Sequence, residues 1–179
     1  MATYLAFLRA INLGPTRKFP KSAILAATEA AGGVDVATYI NSGNVRLTSP
    51  SRSAAKLEVA IEAAYRKHAG FEVPTIVFTA AEFAALAKDA ARIAAEHPHV
   101  ARHYVYLLKA PAPSERVAAL LARAAPGAGI EVRDRAVHLL LAPGGKQGVV
   151  DPYGVEKALG VIATSRNRTV VDTLAGMWC

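Results

Sequence analysis

The turn at residues 41–44, Asn-Ser-Gly-Asn, constrains the fold of this chain more than any other segment. It separates two short β-branched runs, 36–40 and 45–48, and such a turn between two strand-like runs is typical of a β-hairpin. An aromatic and aliphatic run at 4–8 precedes the hairpin, and a further β-branched run follows at 73–78. The first part of the chain is therefore predicted to hold four strands, of which the middle two are adjacent and antiparallel.

Two helices are predicted between these strands. Residues 21–31 carry apolar side chains at helical spacing between a proline and two glycines. Residues 57–68 repeat that spacing between a cap at Ser51 or Ser53 and Gly70. The order strand, helix, strand, strand, helix, strand is that of the ferredoxin-like fold, whose strands lie in the order 4-1-3-2. Residues 1–79 are therefore predicted to form one ferredoxin-like βαββαβ unit.

The second half of the chain repeats this order only in part. A capping box formed by Thr79 and Glu82 opens a helix, so residues 80–100 are predicted to be a connecting helix and linker. Strand, helix, strand and strand patterns then follow at 103–109, 114–125, 130–133 and 136–141. Helical segments complete the chain at 153–159 and 169–177, with no strand predicted between them. The protein is predicted to be α+β, and residues 101–179 are predicted to form a second, degenerate ferredoxin-like unit with C-terminal helices.

The composition excludes disordered and membrane-spanning proteins. Hydrophobic residues make up 53% and charged residues 20% of the chain, and no apolar run approaches the roughly 18 residues of a membrane span. The apolar run near the amino terminus follows no basic segment and is broken at Arg9, so no secretory signal is predicted. The single cysteine, Cys179, cannot form an internal disulfide and fits a reducing compartment. A cytoplasmic protein is therefore expected.

An excess of basic residues favours anionic partners. The chain has 21 Lys and Arg against 14 Asp and Glu, a net charge of +7, which suits a small anionic molecule or a nucleic acid. No cofactor motif is present, and His97, His99 and His103 match no zinc-binding spacing. Neither a cofactor nor a bound metal is therefore predicted.

Two loops of the first unit are predicted to form an anion-binding site. Strands one and two run parallel in a 4-1-3-2 sheet, so the loop after strand one and the hairpin after strand two share one sheet edge, the top edge. These loops hold the candidate ligand-binding residues Arg9, Asn12, Ser42, Gly43 and Asn44. Their polar groups and the amide groups at the start of the first helix are donors suited to a phosphate. A purely structural role is equally compatible, since Asn-Ser-Gly-Asn is a common hairpin turn.

A second polar segment, Thr-Ser-Arg-Asn-Arg-Thr, lies near the carboxyl end at residues 164–169. It falls between two predicted helices, where Asn167 suits a helix cap, and Arg166 and Arg168 suit the negative carbonyl end of the preceding helix. If the segment folds back to the loops of the first unit, its arginines enlarge the anion site.

Three segments of the sequence resemble signatures of the DUF1697 family, bacterial proteins of unknown function. Residues 7–15 match the opening signature, residues 38–45 the hairpin signature and residues 164–169 the closing signature. The candidate site residues that match position by position are Arg9, Asn12, Ser42, Gly43, Asn44, Arg166 and Asn167. The resemblance implies a two-part α+β architecture with ferredoxin-like halves, and it implies no particular reaction.

The sequence departs from the family signatures at several positions. Ala10 and Pro15 stand where the family has glycines, Asn41 stands where it has glutamine, and the closing segment lacks a tryptophan. A ligand bound by the amide at position 15, or stacked on that aromatic ring, would be held differently in this protein.

The sequence leaves three functions open, of which a binding module comes first. The basic charge and the two convergent loops favour binding of a phosphate-bearing ligand, a nucleotide or a nucleic acid, at the top edge of the first sheet. The first alternative is an enzyme acting on a small anionic substrate at the same site, oriented by Arg9 and Asn44, with Ser42 or a histidine moving a proton. The second alternative is a structural or regulatory oligomer, such as a homodimer, without a specific ligand.

Overall fold

The computed structural model of the protein describes residues 1–124, 128–145 and 152–179. The chain divides into two units, the first comprising residues 1–83 with 178–179 and the second residues 84–177. Each unit contains one four-stranded antiparallel sheet with helices, so the predicted α+β class is confirmed. None of the helices in the described residues is long and apolar enough to cross a membrane.

The first unit has the element order that the sequence predicts. Its elements are β1 (Ala2–Leu8), α1 (Lys21–Ala30), β2 (Val34–Tyr39), β3 (Asn44–Ser49), α2 (Ala54–Ala69), β4 (Thr75–Thr79) and the start of α3 (Ala80–Glu96). The strands lie in the order β2-β3-β1-β4, and every pair is antiparallel. Leu47 of β3 lies opposite Tyr4 of β1, and Val45 lies opposite Thr38 of β2. The predicted pairing of the third strand between the first two is therefore confirmed.

The second unit repeats this order in full. Its strands and remaining helices are β5 (Arg102–Leu108), α4 (Ser114–Leu121), β6 (Ala128–Arg133), β7 (Ala136–Leu141), α5 (Pro152–Leu159), β8 (Ala163–Asn167) and α6 (Arg168–Trp178). The strands lie in the order β6-β7-β5-β8 and are again antiparallel. A helix begins directly after the last strand in both halves, at Ala80 and at Arg168. Each half of the chain therefore follows one seven-element order, βαββαβα.

The prediction that the second unit lacks a final strand is wrong. Residues Ala163–Asn167 form β8, in which Arg166 lies opposite Val105 and Thr164 lies opposite Leu107 of β5. The sequence of β8 is mostly polar and resembles a linker. Its strand conformation depends on pairing with β5, and a local sequence pattern does not reveal such pairing. The second ferredoxin-like unit is therefore complete and not degenerate.

Both faces of the first sheet are buried. On one face, alternate residues of β1 join the inner residues of α1 and α2 in a core that includes Tyr4, Ala6, Leu8, Ile24, Ala27, Leu57, Ile61 and Tyr65. On the other face, Phe7 stacks on Phe83 with 5.0 Å between the ring centroids and meets Phe78 edge-on at 6.1 Å. Leu5, on the same face as Phe7, is fully buried. The continuous apolar sequence of β1 follows from this burial on two sides.

Glutamate side chains protect the outer edge of the last strand in both units. Glu62 Oε1 accepts a hydrogen bond from Thr75 N at 2.8 Å, and Glu58 Oε2 accepts one from Val77 N at 2.9 Å. In the second unit, Glu156 binds the first amide of β8 in the same way at 2.8 Å. Since β4 and β8 are edge strands, these carboxylates satisfy main-chain donors that no neighbouring strand reaches.

Replacing Glu58 with glutamine is expected to lower the free energy of unfolding by about 1 kcal/mol, because a charge-assisted hydrogen bond to Val77 becomes a neutral one. Urea denaturation measures the change. Glu29→Gln, at an exposed position of α1, is the matched control and is expected to change the stability by less than about 0.5 kcal/mol. Equal stabilities of the two variants would show that the Glu58 carboxylate adds nothing to the strand edge.

Candidate functional site

The loop after β1 and the β2–β3 hairpin touch each other at the top edge of the first sheet. Leu8 N donates a hydrogen bond to Gly43 O at 2.8 Å. Asn12 Nδ2 donates a second one to Asn41 O at 3.0 Å. The hairpin is therefore bonded to the end of β1 through the main chain and to the loop after β1 through the Asn12 side chain, as the sequence predicts for two neighbouring loops.

Asn12 shapes the first loop with both polar atoms of its side chain. Besides donating to the hairpin, it accepts a hydrogen bond at Oδ1 from Phe19 N at 3.0 Å, and its main-chain N donates to Arg17 O at 2.7 Å. Its φ is +56°, in the left-handed region that asparagine adopts more readily than most residues. Asn12 thus positions the loop that leads into α1.

Gly43 and Asn44 hold the hairpin from the inside. Gly43 has a φ of +75°, and a Cβ atom added there would stand 2.7 Å from Leu8 Cβ, so only glycine fits without displacement. Asn44 is fully buried, and its Nδ2 donates to Tyr39 O at 3.1 Å and to Ser42 Oγ at 3.0 Å. Ser42 itself is exposed at the turn. Gly43 and Asn44 therefore have a structural role in the hairpin.

The arginines of the first loop have different surroundings. Arg17 Nε donates to Ala10 O at 2.6 Å and Arg17 Nη2 donates to Glu72 O at 2.7 Å. The same guanidinium lies 4.5 Å from the ring centroid of Phe71, a cation–π distance. Arg9 is half-buried where β1 ends. Arg17 therefore stabilises the loop after β1 through hydrogen bonds to main-chain carbonyl groups.

A cavity of about 250 Å³ lies between the hairpin and the start of α1. Three of the predicted site residues line this first-unit cavity, namely Asn12, Gly43 and Asn44, whereas Arg9 and Ser42 are not among the lining residues. The other lining residues are Phe19, Pro20, Lys21, Ile24, Thr38, Ile40 and Asn41. None of these lining residues is acidic, so Lys21 gives the wall a positive charge.

Three features of the first-unit cavity suit an anion. Helix α1 begins in its wall at Pro20 and Lys21, with no side-chain cap and no acidic residue in the first turn. The first N–H groups of such a helix carry partial positive charge and lack intrahelical acceptors. Lys21 adds a full charge. Thr38 Oγ1 is buried and has no hydrogen-bond partner in the part of the chain that the structure describes.

The backbone of the cavity wall is strained at Ile40. Its φ is +47°, a conformation that β-branched residues rarely adopt, and more than half of the side chain is exposed. Such strain costs about 1–3 kcal/mol and concentrates at functional sites. The neighbouring bonds of Asn12 and Asn44 hold the hairpin in this conformation.

The two remaining predicted site residues belong to the second unit, in β8. Arg166 is buried, and its Nη1 donates to Thr164 Oγ1 at 3.0 Å and to Ser165 O at 2.8 Å. Burial lowers the pKa of Arg166 to about 10, so the side chain stays charged at neutral pH. Asn167 Oδ1 accepts from Val170 N at 2.9 Å and thereby caps α6.

Comparisons with known proteins agree with this architecture. A family model described as a protein of unknown function, DUF1697, matches residues 1–138. The chain is similar to the solved structure of a conserved bacterial protein from Streptococcus pneumoniae, with 18% sequence identity, 99% of each chain covered and a TM-score of 0.76, a likeness that concerns the fold. No curated protein matches the sequence. Because the family model covers most of the chain, including the opening and hairpin signatures, the protein belongs to the DUF1697 family.

Proposed function

We propose that the first unit binds a small ligand with a phosphate or similar anionic group in the cavity beside α1. The observation that carries this proposal is the start of α1, which lies uncapped in the wall of a cavity whose charged lining residue is Lys21. Main-chain N–H groups at a helix start bind anions without any further motif. Thr38 and Asn41 line the same cavity and offer additional polar groups.

The dimensions favour a small ligand over a nucleic acid. A volume of about 250 Å³ lies just below the usual range of small-molecule sites, roughly 300–1,000 Å³, and admits an anionic group with a short organic part. Ferredoxin-like sheets that bind RNA stack its bases on the open sheet face. Here Leu5 and Phe7, on that face of β1, are fully buried. A small phosphorylated molecule is therefore favoured over RNA.

The roles of the lining residues follow from their contacts. Lys21 and the first amides of α1 attract the anion, whereas Asn12, Gly43 and Asn44 shape the wall through the bonds described above. The lining contains neither a carboxylate nor a histidine, the groups that most often act as a general base. Binding, and not catalysis, is the activity proposed for the first-unit cavity.

Lys21→Gln is expected to weaken the binding of inorganic phosphate and of phosphorylated sugars about tenfold or more, because a charge-assisted contact contributes about 1.5–3 kcal/mol. Isothermal titration calorimetry measures the affinities. Lys67→Gln, an exposed position in the last turn of α2, is the control and is expected to bind like the original protein.

A short single-stranded RNA is the second titrant. An affinity for RNA that falls steeply with the logarithm of the salt concentration would show a nucleic-acid surface in place of the proposed small-ligand site. Equal affinities of the original protein and Lys21→Gln for every phosphorylated titrant would contradict the proposal.

A further inference from the structure

The second unit contains a larger cavity, of about 550 Å³, at the start of β5 and of α6. Its lining residues include His97, Arg102, His103, Tyr104, Arg168 and Thr169. Two arginines and two histidines are among them and no carboxylate is, so the wall is basic. The volume falls within the range of small-molecule binding sites. We refer to this space as the histidine cavity.

A buried histidine pair reaches the wall of the histidine cavity. His103 Nε2 and His138 Nδ1 lie 3.0 Å apart, and the two residues are 8% and 0% exposed. The outer nitrogens, His103 Nδ1 and His138 Nε2, are buried and have no hydrogen-bond partner in the described residues. Burial, assisted by the charge of Arg168, lowers the pKa of His103 to about 4, so the ring is neutral at neutral pH.

The neutral pair always holds one unused donor. Each neutral imidazole carries one N–H group, and one of the two N–H groups is shared between the rings. If His103 donates the shared bond, the unused N–H is on His138; if His138 donates it, the unused N–H is on His103. A buried donor without an acceptor is rare in native proteins. His103 lines the histidine cavity and its Nδ1 is buried. An acceptor that binds in the cavity and reaches this nitrogen would select the second arrangement and satisfy the N–H of His103.

The start of α6 adds positive charge to the same wall. The helix has eleven residues and no acidic residue in its first turn. Asn167 Oδ1 accepts from Val170 N, and Arg168 and Thr169, which precede Val170, line the cavity. Arg168 Nε lies 3.3 Å from Asp172 Oδ2, a half-exposed pair that leaves other nitrogens of the guanidinium for a ligand. Arg102 lines the cavity as well, with one Nη bound to Gly145 O at 2.7 Å.

A cation site at the edge of this region is less favoured. Glu96, His97 and Glu131 each place one potential ligand atom within 4.8 Å of the others. Both carboxylates already bind arginines, since Arg92 Nη1 lies 2.9 Å from Glu96 Oε1 and Arg133 Nη2 lies 2.9 Å from Glu131 Oε2. The arginines satisfy the carboxylates and repel a metal ion, so an anion suits this part of the molecule better.

We propose that the histidine cavity binds a small organic phosphate, whose phosphate group is held by the guanidinium of Arg168, the main-chain N–H groups of Arg168 and Thr169 and the N–H group of His103. The organic part would lie against Pro98, Val100 and Tyr104, which give the rest of the wall an apolar character. The histidine cavity lies entirely within the second unit and shares no residue with the first-unit cavity, so this proposal stands independently of the first.

The test uses the full chain, with isotope-labelled histidine, titrated with inorganic phosphate, adenosine 5′-monophosphate and adenosine. We expect the monophosphate to bind more tightly than phosphate, and adenosine not to bind. The ring-nitrogen signals of His103 should shift to those of a protonated Nδ1, while the signals of exposed His68 and His99 stay unchanged. This spectroscopic readout in the unaltered protein does not depend on the folding of any variant.

Arg168→Gln is expected to weaken monophosphate binding about tenfold or more, since it removes one charge-assisted contact. Arg123→Gln, an exposed arginine of the same unit that does not line the cavity, should retain the histidine shift and the affinity. No change of the His103 signals with phosphate or monophosphate at about 10 mM, or equal affinities of Arg168→Gln and Arg123→Gln, would overturn the proposal. If Lys21→Gln left phosphate binding in the first unit unchanged while the His103 signals still shifted, only the first-unit site would be overturned.

Discussion

Gly43→Ala is expected to lower the free energy of unfolding by about 2–5 kcal/mol. A non-glycine residue in the left-handed region costs about 1–2 kcal/mol, and Gly43 has a φ of +75°. The added Cβ would also stand 2.7 Å from Leu8 Cβ and 3.0 Å from Ile11 Cδ1, and overpacking of this kind costs about 1–3 kcal/mol. Leu8 lies in the central strand β1 and is buried, so it cannot move aside freely. Urea denaturation measures the loss.

Gly14→Ala is the matched control for this effect. Gly14 also has a positive φ, +65°, but no atom lies within 4 Å of the position of its added Cβ. Only the backbone cost remains, so the expected loss is about 1–2 kcal/mol. The difference between the two variants measures the close approach of the hairpin to β1. Equal losses would contradict that close approach.

Acidification is expected to destabilise the protein through the histidine pair of the second unit. Burial lowers the pKa of both His103 and His138 to about 4, whereas histidine in an unfolded chain titrates near 6.5. Between these pKa values the unfolded chain binds protons that the folded chain does not, so stability falls as the pH falls from about 6.5 to about 4. For the fully buried His138 the difference corresponds to about 3 kcal/mol.

His138→Phe is the variant that tests the histidine effect. Its stability should depend less on pH between pH 7 and pH 5, with a slope lower than that of the original protein by about 1 kcal/mol per pH unit below pH 6. His99→Gln, at an exposed position, should keep the original slope. The histidine pKa values of the unaltered protein, measured by nuclear magnetic resonance, provide a readout independent of the variant. Values near 6.5 for both rings would contradict the account.

The fold of the first unit could be predicted because its turn residues and its apolar runs agree with the way its strands pair in the sheet. The turn at 41–44 is short, and Gly43 supplies the positive φ that the turn requires. The run at 4–8 is apolar on successive residues because both faces of β1 are covered. The contact of the β1 loop with the hairpin then follows from the topology alone, since β1 and β2 end at the same sheet edge.

Strand β8 and the glutamate bonds at the sheet edges could not be predicted in this way. Arg166 in β8 is polar, and its burial depends on pairing with Val105, which lies 61 positions earlier in the chain. In the sequence Glu58 is indistinguishable from any other glutamate of a helix. Its hydrogen bond with Val77 N forms only because α2 packs along β4. In both cases the decisive interaction involves a main-chain group that is distant in the sequence, and the local sequence carries no signal for it.

The candidate site could be predicted in its location and only partly in its members. The sequence predicts Asn12 and Asn44 as ligand donors, whereas the structure uses their amides in hydrogen bonds that shape the loops. Lys21 had a sequence signal, because it follows Pro20 at a predicted helix start. Thr38 has no sequence signal. Its hydroxyl is notable only because it is buried without a hydrogen-bond partner among the described residues, and the sequence does not show this.

Chemical-shift mapping with inorganic phosphate tests the binding of an anion at α1 most directly. The amide signals of Lys21, Ser22 and Ala23, in the first turn of α1, are expected to move together with a single dissociation constant, while that of Lys67 in α2 stays fixed. Lys21→Gln should raise the dissociation constant about tenfold or more. Amide signals in the first turn of α1 that remain unchanged at about 10 mM phosphate would contradict the account.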